Sequence, residues 1–217
     1  MLEIKEISKS YGSKPALDFI SISAKPGEAV AILGPSGSGK TTLLRIIAGL
    51  ESPDSGSVSF AGDVWCSNDV FVQPGKRRVT MMFDDCALWP HMRVLKNLTF
   101  AMGETPRTER DAAAMRILET LKIAQLADRY PHQISAGEKR RVALGRLLAS
   151  KKEVALLDEP FSSLNAELRL EAGRAIGALK AEGRTVVFVT HLEPESLEYS
   201  DRRVIISEGK LAEHRDK

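Results

Sequence analysis

"EAVAILGPSGSGKTTLLRIIAGL", Glu28 to Leu50, is the stretch on which the reading of the fold turns. It opens with EAVAILG, a compact apolar run with the character of a buried strand. It closes with apolar residues at helical spacing, Leu43, Leu44, Ile46, Ile47 and Leu50. Between them stands GPSGSGKTT, Gly34 to Thr42, so the order is strand, glycine loop, helix. That order is the context a phosphate-binding loop requires. Glycines at 34, 37 and 39 let the backbone curl so that successive N–H groups point at phosphate oxygens, and the helix start adds positive potential. Lys40 is placed to reach the β and γ phosphates of a nucleotide, and the Thr41 hydroxyl to ligate Mg²⁺. The nucleotide-binding candidates are therefore Gly34, Ser36, Gly37, Ser38, Gly39, Lys40, Thr41 and Thr42.

The 217 residues around this loop suit one large or two small domains, and 43% hydrophobic against 28% charged residues is enough to bury a core. Thirty-one basic against 29 acidic residues leave a formal net charge of +2, without the one-signed excess that marks nucleic-acid or anionic-lipid binders. The two dense basic runs, GKRR (Gly75 to Arg78) and EKRR (Glu138 to Arg141), read as solvated faces, and no nucleic-acid partner is expected. Cys66 and Cys86 lack the paired spacing of a zinc site or disulfide framework, which points to a reducing compartment. MLEIKEISKSYG mixes charges among apolar residues and is no signal peptide. No apolar run approaches the roughly 18 residues a membrane span needs. A soluble chain, able to dock on something that is not, is the expectation.

Residues 2–33 alternate in short β-like runs punctuated by the turn signals YGSKP and KPGE, and 52–80 return to Gly, Ser and short strands. From Thr108 to Tyr130 the pattern predicts one helix, capped by Thr108, with Asp111 in its first turn and Pro131 as its stop. VALLDEP and TVVFVTH are apolar runs rich in β-branched residues, with a helix, Ala166 to Ala181, between them. This predicts a parallel sheet covered by helices, with chemistry at the carboxyl ends of its strands. RVIISEGKLAEH supplies a last strand and turn. Asp158 ends VALLD where it would hold Mg²⁺ through water, and Glu159 follows where it would orient or deprotonate an attacking water. Together with the phosphate loop these residues specify hydrolysis. In MMFDDCALWPHM, Met81 to Met92, the adjacent Asp84 and Asp85 fit a metal site, an acid/base pair or an ordinary strand end equally well on local grounds.

These motifs, in this order, resemble those of ABC-type ATPases, the nucleotide-binding subunits of ATP-binding-cassette transporters, over essentially the whole chain. The matching stretches are KSYGS, GPSGSGKTT, MMFDDCALWPHM, ISAGEKRRVALGRLL, VALLDEPFSSLNA and VTH. The resemblance implies an α/β fold: a P-loop NTPase core with a mostly parallel sheet and an antiparallel β subdomain (1–86 and 149–217), and an inserted helical subdomain (87–148). It implies ATP and Mg²⁺ as cofactors, and a head-to-tail dimer, homo or hetero, whose ATP molecules lie between one subunit's phosphate loop and the other's signature segment. By position, Tyr11 would stack on adenine, and His191 would contact the γ-phosphate and help hold the water. Ser135, Ala136, Gly137 and Glu138 form the signature, with Ser135 and Glu138 also fitting a capping box. The capped helix start offers free N–H groups to the partner's phosphate.

Four positions depart from the family's usual pattern. Ala136 stands where glycine is preferred, Glu138 replaces glutamine, Asn165 replaces aspartate, and Asp84 takes the place of the glutamine that senses Mg²⁺ and the γ-phosphate. A carboxylate at 84 is a possible direct metal ligand beside Thr41 and Asp158, but it would repel phosphate. Two unit charges about 4 Å apart interact by about 1 kcal/mol in water and about 4 kcal/mol at an effective dielectric of 20. Slower, weakly coupled hydrolysis is therefore expected. Within the resemblance, ALWPHM lies where importers of the sugar, polyamine, iron, sulfate and molybdate group meet their permease, with Trp89 a candidate contact. The reading is thus an importer ATPase at the cytoplasmic face of the membrane, working with permease subunits and, indirectly, an external substrate-binding protein. It is expected to lack the C-terminal regulatory domain of many relatives. The alternative is a regulatory or partner-dependent nucleotide-binding module with weak hydrolysis of its own. The cargo is not written in this chain.

Overall fold

The computed structural model describes residues 1–103, 105–162, 164–191 and 193–216, and the side chains of all of these except 193, 196 and 213–216. Among these described residues ten strands run in chain order: β1 (Leu2–Tyr11), β2 (Lys14–Ala24), β3 (Ala29–Leu33), β4 (Ser55–Phe60), β5 (Asp63–Cys66), β6 (Val79–Met82), β7 (Val154–Asp158), β8 (Thr185–Thr190), β9 (Arg202–Ser207) and β10 (Lys210–Asp216). Six α-helices accompany them among the described residues: α1 (Lys40–Ala48), α2 (Val94–Ala101), α3 (Arg107–Thr120), α4 (Ala136–Ala149), α5 (Ala166–Ala181) and α6 (Glu193–Tyr199).

The strands form two sheets. One is antiparallel, in the order β2-β1-β4-β5; the other has the order β10-β9-β3-β8-β7-β6 and is parallel from β9 to β6, with β10 antiparallel at its edge. The parallel strands are apolar throughout because both faces are covered. Val30 and Ile32 of β3, Val154 and Leu156 of β7, and Val187 and Val189 of β8 face a core shared with α1 and the antiparallel sheet. Their neighbours Ala31, Ala155, Leu157, Val186 and Phe188 face a second core with Leu144 and Leu147 of α4 and Ile176 and Leu179 of α5. This period-two alternation is what places α1 between the sheets. A third cluster, Val94, Leu98, Ala114, Leu118, Ile123 and Val142 among others, holds α2, α3 and one side of α4 together.

Two sequence expectations change. The helix read over 108–130 ends at Thr120: Leu121 caps it, Lys122 turns to φ 56°, and a short 3₁₀ turn follows over Ala124–Leu126. Leu121, Ile123 and Ala127 keep an apolar spacing, but they bury it by folding back rather than by prolonging the helix. Thr108 lies inside the first turn and caps nothing; Pro106 occupies the N-cap, and Asp111 instead pairs with Lys96 at 3.0 Å. The basic runs are not simply solvated either. Arg77 is fully buried and Arg140 nearly so, each with its guanidinium turned onto backbone carbonyls.

Candidate nucleotide site

The loop between β3 and α1 is shaped by close approach to neighbouring backbone. Gly39 has φ 100°, and a Cβ there would lie 2.3 Å from the Ala16 carbonyl oxygen; one on Gly34 would lie 2.0 Å from that of Ile206. Only glycine fits such positions. Lys40 folds back over the loop, Nζ donating to the carbonyls of Gly34 at 2.8 Å and Pro35 at 2.9 Å. Burial pushes its ammonium pKa down, against the opposing charges of Glu159 and Asp158. The buried Ser38 hydroxyl finds no protein partner among the described residues. A cleft of about 410 Å³ opens over the loop, lined by Tyr11, Lys14, Pro15, Ala16, loop residues and Glu159. Its size suits a small-molecule ligand.

Asp158 ends β7 beside the start of α1, and the Thr41 hydroxyl donates to its Oδ1 at 3.1 Å. Burial raises the Asp158 pKa; the Thr41 bond and Lys40 oppose this, and the charges of Asp84 and Glu159 add to it. A buried carboxylate of this kind, beside a hydroxyl, is a hard-oxygen pair that suits Mg²⁺. That ion usually takes only one or two protein ligands and completes its shell with water and phosphate oxygens. Among the described residues no three His, Cys, Asp or Glu side chains gather as a protein-only metal cage. Asp84 does not line the cleft. Its carboxylate, 62% exposed, accepts from Arg140 Nη1 at 3.5 Å and Ser162 Oγ at 3.4 Å.

Glu159 reaches the cleft from an unusual backbone. Its φ of 48° is left-handed, which costs a non-glycine residue about 1–2 kcal/mol. The strain is held by three bonds: its N–H donates to Val189 O at 3.0 Å, and its carbonyl accepts from the Ser162 N–H at 3.2 Å and from Arg140 Nη2. The carboxylate Oε2 lies 3.0 Å from Nδ1 of His191, which follows β8. Sequence reasoning missed Arg140 as part of this arrangement, although a signal was present. Ala143, Leu144 and Leu147 lie three, four and seven residues beyond it, so Arg140 shares the buried stripe of α4. Arg146 does similar work, donating to Cys86 O at 2.9 Å and Ala87 O at 2.7 Å, two further residues with left-handed φ.

Tyr11 stands half exposed at the cleft edge, its hydroxyl donating to Glu51 and its ring under the Lys9 ammonium at 5.7 Å. Ser135 caps α4: Glu138 N–H donates to its Oγ at 3.3 Å, and Glu138 Oε2 accepts from the Ser135 N–H at 2.8 Å and from its hydroxyl at 2.7 Å. Ser135 and Ala136 are exposed, and the segment Ser135–Glu138 does not line the chain's own cleft. Asn165 caps α5, Oδ1 accepting from the Leu168 N–H at 2.9 Å, a role aspartate would fill equally. Trp89 packs edge-on against Phe100, with the Arg146 guanidinium 4.8 Å over its ring.

Residues 17–162 match the ABC transporter family. The chain belongs to that family. Curated relatives include the sulfate/thiosulfate import ATP-binding protein CysA of Shigella flexneri, 46% identical over 97% of this chain and 58% of the relative. CysA of Escherichia coli K12 is 45% identical with the same coverage, and CysA of Pseudomonas aeruginosa 43% identical over 97% of this chain and 65% of its own length. The chain therefore spans about three-fifths of the length of these relatives. Among solved structures, the dimeric ABC transporter cassette MJ0796 superposes with a TM-score of 0.89 at 27% identity, covering 100% of this chain and 98% of that one. The same cassette in a post-hydrolysis state bound to ADP and Pi gives 0.88, also at 27% identity and with the same coverage. The α/β architecture, with one mostly parallel and one antiparallel sheet, is that of an ABC cassette. Among the described residues no helix is long and apolar enough to cross a membrane.

Proposed function

We propose that the chain is the ATP-binding and hydrolysing subunit of an ABC importer, coupling Mg-ATP-driven dimerisation and hydrolysis to a membrane permease at the cytoplasmic face. The observation that carries this reading is one cleft lined by Lys40, Thr41 and Glu159, with Asp158 behind Thr41 at 3.1 Å and His191 beside Glu159 at 3.0 Å. Those are a phosphate cradle, a metal-holding pair and an oriented base. Lys40 exchanges its two loop carbonyls for β and γ phosphate oxygens, and the N–H groups of 36 to 42 fill in around them. Thr41 and Asp158 hold Mg²⁺, which when bound neutralises charge on the phosphates. Glu159 orients a water and takes its proton as the water oxygen attacks the γ-phosphorus, releasing ADP and phosphate. His191, paired through Nδ1 with Glu159, would present Nε2 to the γ-phosphate. Tyr11 offers its exposed face to adenine.

A second cassette subunit completes the site head-to-tail through Ser135, Ala136, Gly137 and Glu138, because these residues lie outside the chain's own cleft. The similarity to CysA proteins favours a small tetrahedral oxyanion such as sulfate or thiosulfate as cargo, delivered by an external binding protein and carried by permease subunits that dock near Trp89. The test is Mg-ATP turnover by the purified chain, with ATP affinity measured in parallel and Glu159→Gln as control. Turnover that falls on the order of 100-fold or more in the variant while ATP still binds supports the reading. Turnover unaffected by Glu159→Gln, or no ATP binding, overturns it.

A further inference from the structure

We propose that Arg140 is a positioning residue for hydrolysis, one guanidinium that fixes the backbone under Glu159 and neutralises Asp84 so that a carboxylate at 84 is compatible with turnover. The inference rests on the proposed role of Glu159 and adds a residue that touches neither nucleotide nor metal. Arg140 lies in the second turn of α4, directly after the Ser135–Glu138 capping box. Its two terminal nitrogens diverge. Nη1 donates to the Asp84 carbonyl at 2.9 Å and lies 3.5 Å from Asp84 Oδ1, while Nη2 donates to the Glu159 carbonyl. The side chain is buried, and its Nε has no partner among the described residues, so its place is set by what the two terminal nitrogens reach. A planar fork can span both targets, whereas a lysine ammonium can serve one of them well.

Two consequences converge on the reacting region. The left-handed backbone at Glu159 persists only where surrounding bonds over-determine it, and Arg140 supplies one of the two donors to its carbonyl. Without that donor the carboxylate loses its fixed aim. The same loss leaves the Asp84 carboxylate without the guanidinium that lies 3.5 Å from it. The signature helix, the turn after β6 and the segment after β7 are thereby joined by one residue.

The test is steady-state Mg-ATP hydrolysis by the full chain and by Arg140→Gln, Arg140→Lys, Asp84→Gln and the Asp84→Gln/Arg140→Gln double variant. Arg140→Gln is expected to lower kcat by roughly 10–100-fold, the usual effect of losing an outer-shell partner, with KM within about threefold. Arg140→Lys, which keeps the charge, falls between. In the double variant the charge to be neutralised is gone, so its kcat recovers above that of Arg140→Gln. A kcat for Arg140→Gln within about twofold of the parent overturns the proposal, as does a double variant whose loss equals the product of the two single losses. Wild-type chain without turnover would instead defeat the proposed function, and amide hydrogen exchange then decides this point independently. Arg140→Gln should accelerate exchange at the Ser162 and Cys86 amides, which close the turns onto Glu159 O and Phe83 O, and leave the antiparallel sheet unchanged. Unaltered exchange at both amides overturns it.

Discussion

Glu138 closes the capping box of α4, and that contribution depends on pH. Its carboxyl is held below the ordinary glutamate value of 4.5, first by the Ser135 backbone N–H and then by the Ser135 hydroxyl. A carboxyl whose folded pKa is depressed adds stability that is complete above 4.5 and is lost as pH falls through the lower folded value. Glu138→Gln keeps an acceptor but not the charge at the helix start. It is expected to cost about 0.5–1 kcal/mol at pH 7, a difference that shrinks toward zero below the carboxylate range. Urea unfolding of both forms at stepped pH checks this; a difference that persists unchanged in acid contradicts it. The capping box was legible from spacing alone because its partners are three residues apart. The site of Asp84 was not. The carboxylate faces Arg140 and Ser162, partners 56 and 78 residues away that no local pattern announces.

At the scale of elements, helix α1 connects the nucleotide loop to the core, and its far end depends on Arg77. That guanidinium donates to Ile46 O at 2.7 Å and Ile47 O at 2.8 Å, two carbonyls of the last turn of α1, and to Val72 O at 2.8 Å and Trp65 O at 3.2 Å. Gly49 makes room, since a Cβ there would lie 2.5 Å from Arg77 Nε. Arg77→Met removes all four donated bonds from buried carbonyls. A loss on the order of 3 kcal/mol is expected, hence a Tm fall of roughly 5–10 °C. The adjacent Arg78→Met gives up exposed ion pairs to Asp63 and Glu153, a long 3.4 Å bond to Phe60 O and a guanidinium contact over the Phe60 ring, and should cost clearly less, about 1 kcal/mol. Equal losses in the two variants, measured by thermal and denaturant unfolding, would contradict the capping role. The strands β3, β7 and β8 and the helix α5 are where periodicity and β-branched content place them, because both kinds of element bury continuous local patterns. Arg77 and Arg140 defeated the same reasoning: a guanidinium buried on distant carbonyls has no local signature and looks like any surface charge in a basic run.

For the whole molecule, the function proposed above requires a site that a single chain finishes on one side only. Lys40, Thr41 and Glu159 line the cleft, whereas the exposed start of α4 at Ser135 and Ala136 belongs to a different surface of the chain. In the head-to-tail dimer proposed above, a second subunit would bring the one against the other. Glu159→Gln should therefore double in mass by light scattering when given Mg-ATP, because ATP is held and not consumed, and Lys40→Ala should remain monomeric. Ala136 makes this a sharper test. At the first position of α4 its exposed methyl group stands among the N–H groups that would receive the partner's γ-phosphate. In the Glu159→Gln background, Ala136→Gly is expected to lower the protein concentration at which half the chain is dimeric, by roughly 3–10-fold, which corresponds to about 0.7–1.4 kcal/mol. The nucleotide-free Tm should hardly move, since glycine at a helix start costs far less than at its centre. A midpoint that rises instead would mean that the methyl group is a contact across the interface rather than an obstruction. A midpoint that stays put would mean that the phosphate is received without close approach to residue 136.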